Sequence, residues 1–208
     1  MRTVENQHAA EVKSGGRFEF GKNWSNFLCT LTSRKIEMAT QSLRESLKVE
    51  TLEGKTFIDV GSGSGLFSLA AYRLGAAVYS FDYDSHSYAC TTELRRRYFD
   101  DRGEWTVVQA SVLDSAFMSG LPTFDVVHSW GVLHHTGAMW QAIENVKKLS
   151  PVGGKLFTAI YNDYGLDTDR WAKIKRRLQF TAQGAQTALR SQDHRGSRIP
   201  ATDQPYNK

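Results

Sequence analysis

Gly61-Ser62-Gly63-Ser64-Gly65 follows the apolar run Phe57-Ile58-Asp59-Val60, and a helical pattern resumes after it. Glycine at every second position lets the chain turn without a Cβ penalty. It also lets a ligand approach the backbone N–H groups at the start of the next helix. A strand that ends beside an acidic residue and opens into such a loop suits a nucleoside-like cofactor. Farther along, the strand-like run Ala77-Val78-Tyr79-Ser80-Phe81 ends at Asp82. In a βαβ unit, a carboxylate at the tip of the second strand lies beside the glycine loop, where it can accept both hydroxyl hydrogens of a ribose. Asp84 has a competing use, because acidic residues suit helix N-termini. Asp82 directly ends the strand and is the preferred ribose ligand.

Spacing selects among cofactors. A dinucleotide fingerprint puts its third glycine three residues after the second, and Leu66 stands there. A P-loop needs a Gly-Lys-Ser/Thr ending, which is missing. Read from Asp59, the segment is Asp-x-Gly-x-Gly-x-Gly, which resembles motif I of the class I S-adenosylmethionine (SAM) dependent methyltransferases. Trp105 to Asp114 is similar to that family's third strand and adenine-side loop, with Ser111 where an aspartate is common. Phe124 to Gly137, which contains Val132-Leu133-His134-His135, resembles motif IV and the loop beyond it, and Leu149 to Phe157 resembles the turn into the fifth strand. The resemblance spans Phe18 to Arg177. It implies SAM as cofactor, with the backbone of Gly61, Ser62, Gly63 and Gly65 holding the methionine part. Asp59 would orient the ammonium group directly or through water, and Asp82 would hold the ribose. Ser111 would bond the exocyclic amine, Tyr83 and Val112 would flank the adenine, and Trp130 or Trp24 would stabilise the sulfonium by cation–π attraction.

Methyl transfer from a sulfonium is an in-line displacement for which a protein mainly supplies geometry. A base is required only when the nucleophile must lose a proton. His134 and His135 follow the fourth strand, and a histidine near its ordinary pKa can deprotonate a phenol or hydroxyl at neutral pH. His135, then His134, is the candidate base; the alternative is a turn that merely starts the next helix. Adjacent histidines without a third ligand do not define a metal site. The paired prolines of amino-directed DNA methyltransferases are missing after the fourth strand, where Ser129-Trp130-Gly131-Val132 stands. Cys29 and Cys90 lie away from that loop, which argues against carbon-5 pyrimidine methylation. They are read as reduced thiols without a chemical task. The expected partner is a small-molecule methyl acceptor, modified at oxygen, and the His134-His135 loop is similar to the bacterial branch that includes the ubiquinone-biosynthesis O-methyltransferases. A SAM-binding relative without turnover is the alternative.

Such a site needs a scaffold that gathers strand ends. Strand-like runs near 56–60, 77–82, 105–109, 124–129 and 154–161 alternate with helical stretches, giving an α/β, Rossmann-like, doubly wound and mostly parallel sheet. Phe27, Leu28, Leu31, Ile36, Met38, Leu43 and Leu47 suggest one or two helices before the first strand, on the cofactor side. Three segments are expected: 1–50, an N-terminal lid and helical part with Phe20 and Trp24 over the cofactor; 51–178, the SAM-binding domain; and 179–208, a polar basic tail without stable order. That tail offers no counterpart to the family's final antiparallel strand pair, which would leave a sheet edge open to a second copy in a homodimer. With 208 residues, 40% of them hydrophobic, the chain can bury one core. No apolar stretch is long enough for a bilayer, and the polar N-terminus points to the cytoplasm. The net charge of +4 divides into +7 from Arg170 onward and −3 before it. The tail's composition favours a solvated, unstructured end over a nucleic-acid surface.

Overall fold

Alternate residues of a strand face opposite ways, and the first strand buries both faces: Phe57 and Asp59 on one side, Ile58 and Val60 on the other. The computed structural model describes residues 27–100 and 103–161. In chain order these form α1 (Ser33–Leu47), β1 (Thr56–Val60), α2 (Leu66–Arg73), β2 (Ala77–Asp82), α3 (Ser85–Tyr98), β3 (Trp105–Gln109) and α4 (Ser115–Gly120). Then come β4 (Val126–Trp130), a 3-10 turn (Leu133–His135), α5 (Met139–Lys147) and β5 (Lys155–Ala159). The five strands are all parallel, in the order β3-β2-β1-β4-β5.

Helices cover both faces, as buried parallel strands require. Phe57 packs in one apolar cluster with Ile36, Leu43 and Leu47 of α1, Leu69 of α2 and Leu94 of α3. Ile58 and Val60 pack in another with Val127, Met118 of α4 and Val146 of α5. The described part of the expected N-terminal segment is therefore core. Helix α1 starts at Thr32, whose hydroxyl accepts the Lys35 N–H, and stops at Lys48, which turns left-handed with φ +53°. Met38, one of the apolar positions assigned to this helix, points outward and is 62% exposed.

Strands β1 to β3 step outward in one direction, and β4 returns to the other side of β1. The order reverses between β1 and β4, which opens a crevice beyond their carboxyl ends. The expected strand positions hold closely, although the fourth begins at Val126 and the fifth ends at Ala159. The helix expected from Ser64 begins at Leu66, because Gly65 is left-handed at φ +77° and cannot lie in a helical turn. Phe20, Trp24, the helix expected over 168–178, the tail and the region of any final strand pair lie outside the described residues. Among the described residues no helix is long and apolar enough to cross a membrane.

Two left-handed glycines separate backbone strain from collision. A Cβ on Gly54 (φ +69°) would meet nothing within 4 Å, whereas one on Gly65 would lie 3.0 Å from the Thr91 Cα. Gly54→Ala should cost about 1 kcal/mol, the left-handed penalty alone. Gly65→Ala should cost about 2 kcal/mol or more, because the α3 backbone must also move. Urea unfolding midpoints compare the two, and equal costs would show that α3 yields freely.

Candidate active site

The glycine loop leaves β1 at the switch point with φ +76° at Gly61, +57° at Gly63 and +77° at Gly65. Such a path is open to glycine and strained for other residues. Neighbouring elements fix its shape. The N–H groups of Gly61 and Ser62 donate to the Phe81 carbonyl at 2.9 and 3.1 Å, and that of Gly65 donates to the Ser62 carbonyl at 2.8 Å. Gly63 N–H donates to Asp82 Oδ2 at 2.9 Å. From α3, Thr91 Oγ1 lies 2.9 Å from Ser62 Oγ, and its hydroxyl is 3.3 Å from the Gly63 carbonyl. Four of the loop's five N–H groups therefore bond within the protein. This differs from the expectation that they present donors to a ligand; the glycines supply closeness of approach instead. A Cβ on Gly61 would fall 2.4 Å from Val132 Cγ1, so the loops after β1 and β4 touch.

Asp82 sits beside the loop as expected. Its other oxygen accepts the Asp84 N–H at 2.9 Å. Asp84 takes the helix-capping role, accepting the His86 N–H at 2.9 Å and the Ser87 hydroxyl at 3.1 Å. Burial pushes the Asp82 carboxyl up to about 7; the two N–H bonds oppose the rise, and the nearby Asp84 and Asp59 add to it. The end of β3 is joined to the same place through Ala110 N–H and the Asp82 carbonyl, 3.0 Å apart. Gln109 Nε2 donates to the Tyr83 carbonyl at 3.3 Å, and Ser111 Oγ accepts the Leu113 N–H at 3.2 Å. The Val112 side chain is buried in the cluster with Phe81 and Leu133, and its carbonyl accepts Asn145 Nδ2 at 2.9 Å.

Asp59 lies deeper than the loop it precedes. It is 2% exposed and turned beneath the loop, because strand alternation puts it on the α2 face with Phe57. Oδ2 accepts the Ser68 hydroxyl at 2.6 Å, and Oδ1 lies 2.9 Å from Nδ1 of His128. Ser80 Oγ donates to Ser68 Oγ at 2.9 Å, and Trp105 Nε1 donates to Ser80 Oγ at 3.0 Å. Both Asp59 oxygens are thus engaged by the protein. Sequence reasoning missed Ser68, Ser80, Thr91 and His128. The available signal was a histidine inside the apolar strand run Val126-Val127-His128, where a polar side chain needs a partner.

At the end of β4, Trp130 is 47% exposed, with its ring stacked on Phe157 at 5.6 Å and tilted against Phe67 at 6.1 Å. His134 and His135 lie on the 3-10 turn that follows, 4.0 Å apart between ring centroids. Neither ring nitrogen of His134 has a hydrogen-bond partner. Its pKa is lowered by burial; that of the exposed His135 is lowered by burial and by the neighbouring His134. Tyr161 packs edge-on against His134 at 4.9 Å, and its hydroxyl lies 3.0 Å from where a Gly131 Cβ would stand. The described residues include no group of three or more His, Cys, Asp or Glu side chains placed to hold a metal ion.

Residues 58–156 match the family model described as a methyltransferase domain. A stretch of 49 residues is 43% identical to ribosomal protein L11 methyltransferase of Helicobacter hepaticus, covering 24% of this chain and 16% of that one. Over 134 residues the chain is 25% identical to ubiquinone biosynthesis O-methyltransferase of Caulobacter vibrioides, covering 64% and 52%. Among solved structures, a candidate SAM-dependent methyltransferase of Methanococcus maripaludis aligns with a TM-score of 0.56 at 16% identity, covering 94% of this chain and 86% of that one. The chain thus spans between a sixth and about half of the curated relatives it matches. The described part has a five-stranded, all-parallel, Rossmann-like α/β fold, shared with the Methanococcus maripaludis structure, and most of it lies within the stretch that matches the methyltransferase-domain model.

The raised Asp82 carboxyl has a stability consequence. A folded-state pKa of about 7 means that the native protein keeps a proton which the unfolded chain has released. The resulting stabilisation is complete below the unfolded carboxyl range and is lost as pH rises through 7. Relative to Asp82→Asn, the wild-type protein should lose up to about 1.4 kcal/mol of stability per pH unit between pH 5 and 7. Urea midpoints of both proteins across that window test it, and parallel pH profiles would show that Asp82 is already ionised at pH 5.

Proposed function

We propose that this protein binds SAM beyond the carboxyl ends of β1, β2 and β4 and transfers its methyl group to a small-molecule acceptor, at oxygen. The 2.9 Å bond between Gly63 N–H and Asp82 carries the reading. It joins a left-handed glycine loop to a strand-tip carboxylate at the place where a doubly wound sheet receives its ligand. The methionine end lies against the bare backbone of Gly61 and Gly63, near the N-terminus of α2. Each Asp82 oxygen keeps a lone pair for a ribose hydroxyl, and the end of β3, with Tyr83 and Ser111 near it, receives the adenine. The exposed face of Trp130 meets the sulfonium.

Holding the acceptor oxygen in line with the methyl group supplies most of the acceleration, on the order of 7–11 kcal/mol. Where the acceptor is a hydroxyl, His135 or His134 takes its proton. Both imidazoles are biased toward the neutral form, which a base needs. Similarity to the ubiquinone O-methyltransferase supports oxygen as the acceptor atom. The short match to the ribosomal protein enzyme covers too little of either chain to favour a protein acceptor.

Calorimetry with SAM, followed by a labelled-methyl assay on cell extract, tests the reading in two stages. Micromolar or tighter binding and one labelled small product are expected. Binding without any product favours a SAM-binding relative that does not turn over, and no binding removes the proposal altogether. Once an acceptor is known, alanine at the true base should lower turnover by about 10² to 10⁴ with SAM affinity unchanged. The acid limb of the rate profile should then have its midpoint below the ordinary histidine value of about 6.5. A limb centred above that value would exclude both histidines.

A further inference from the structure

We infer that His128 is a positioning residue for the glycine loop, acting through Asp59, and that Asp59 serves as a buried strut between β1, β4 and α2. The inference uses the cofactor reading above only for its binding measurement. His128 is 1% exposed, so its ring touches no acceptor or solvent. Aromatic rings enclose it: Phe57 at 5.6 Å, Phe67 at 5.0 Å and Phe157 at 5.8 Å between centroids. Its polar partner is Asp59, directly opposite in the register of β1 and β4.

Donor chemistry gives this arrangement a direction. The indole of Trp105 can only donate. It donates to Ser80, Ser80 donates to Ser68, and Ser68 donates to Asp59 Oδ2. The chain must end on an acceptor, and the carboxylate is that end. Its second oxygen then takes the Nδ1 proton of His128, which sets the imidazole tautomer. Because Asp59 stands two residues before Gly61 and Ser68 two after Leu66, the 2.6 Å bond between them spans the loop from below. Phe81, Asp82 and Thr91 hold the same loop at its other contacts. Without His128, Asp59 keeps a buried oxygen without a donor and is free to pull away from Ser68. The loop would then lose the anchor at both of its ends.

Two substitutions separate the hydrogen bond from the space it occupies. His128→Leu removes the donor, whereas His128→Asn carries an amide nitrogen near the Nδ1 position. The measurements are the affinity for S-adenosylhomocysteine by calorimetry and hydrogen exchange of the Gly61, Ser62 and Gly63 amides in the ligand-free protein. His128→Leu should weaken binding and speed exchange by about tenfold each, the loss of one buried hydrogen bond. His128→Asn should return both to within about threefold of wild type, and turnover at saturating SAM should change little in either. Wild-type affinity and exchange in His128→Leu would overturn the inference, as would His128→Asn impaired to the same degree as His128→Leu. If His128→Leu does not fold, Ser68→Ala breaks the other bond to Asp59 with a smaller change of volume and carries the same expectation. A wild-type protein that binds no S-adenosylhomocysteine would strike the proposed function, and the exchange measurement would still decide the role of His128.

Discussion

The loop between β1 and α2 has no conformational preference of its own, and the hydrogen bonds that fix it come from β2 and α3. Three left-handed glycines leave the backbone free to take many paths. The Phe81 carbonyl receives two of its N–H groups, the Asp82 carboxylate a third, and Thr91 meets it from α3. Ordering such a segment costs more conformational entropy than ordering any other residue type. The parallel pairing of β1 with β2 returns part of that cost before any ligand arrives. The strand ends, the crevice and the approach of Val132 to Gly61 all follow from this local order.

Much of this was legible along the chain. The strand positions follow from short apolar runs bounded by turn residues, and Asp82 follows from its place at the end of such a run. These are local patterns, and local patterns survive without knowledge of the fold. Asp59 shows the limit. Its type and distance from Gly61 are those of a ligand residue, yet strand alternation turns its side chain under the sheet face, where Ser68 and His128 engage it. The surroundings of Val112 were hidden for a related reason, since nothing in its sequence neighbours shows that Leu133 packs in its cluster or that Asn145 bonds its carbonyl.

Two of the residues that escaped sequence reasoning have partners far along the chain. His128 reaches Asp59 across 69 positions, and Thr91 reaches Ser62 across 29. Such pairs become neighbours only once sheet order and register are known. A buried serine or histidine reads as an exception to apolar patterning, and the pattern says nothing about its partner. In this molecule Asp59, Ser68, Ser80 and His128 gather on one face of the sheet, beneath the loop. The apolar face opposite keeps to pattern throughout β1, with Ile58 and Val60 both fully buried.

The contrast between Trp105 and Trp130 reaches beyond packing. Trp105 is 2% exposed and donates to Ser80, whereas Trp130 stands half open at the mouth of the crevice beside Phe157. Indole emission shifts with the polarity around the ring, so the two report from different surroundings: one from a dry interior, the other from the water that an arriving molecule would displace. Trp140, 74% exposed on α5, adds its own long-wavelength emission, so a Trp140→Phe background would leave Trp130 as the exposed indole among the described residues and make its emission a gauge of the entrance.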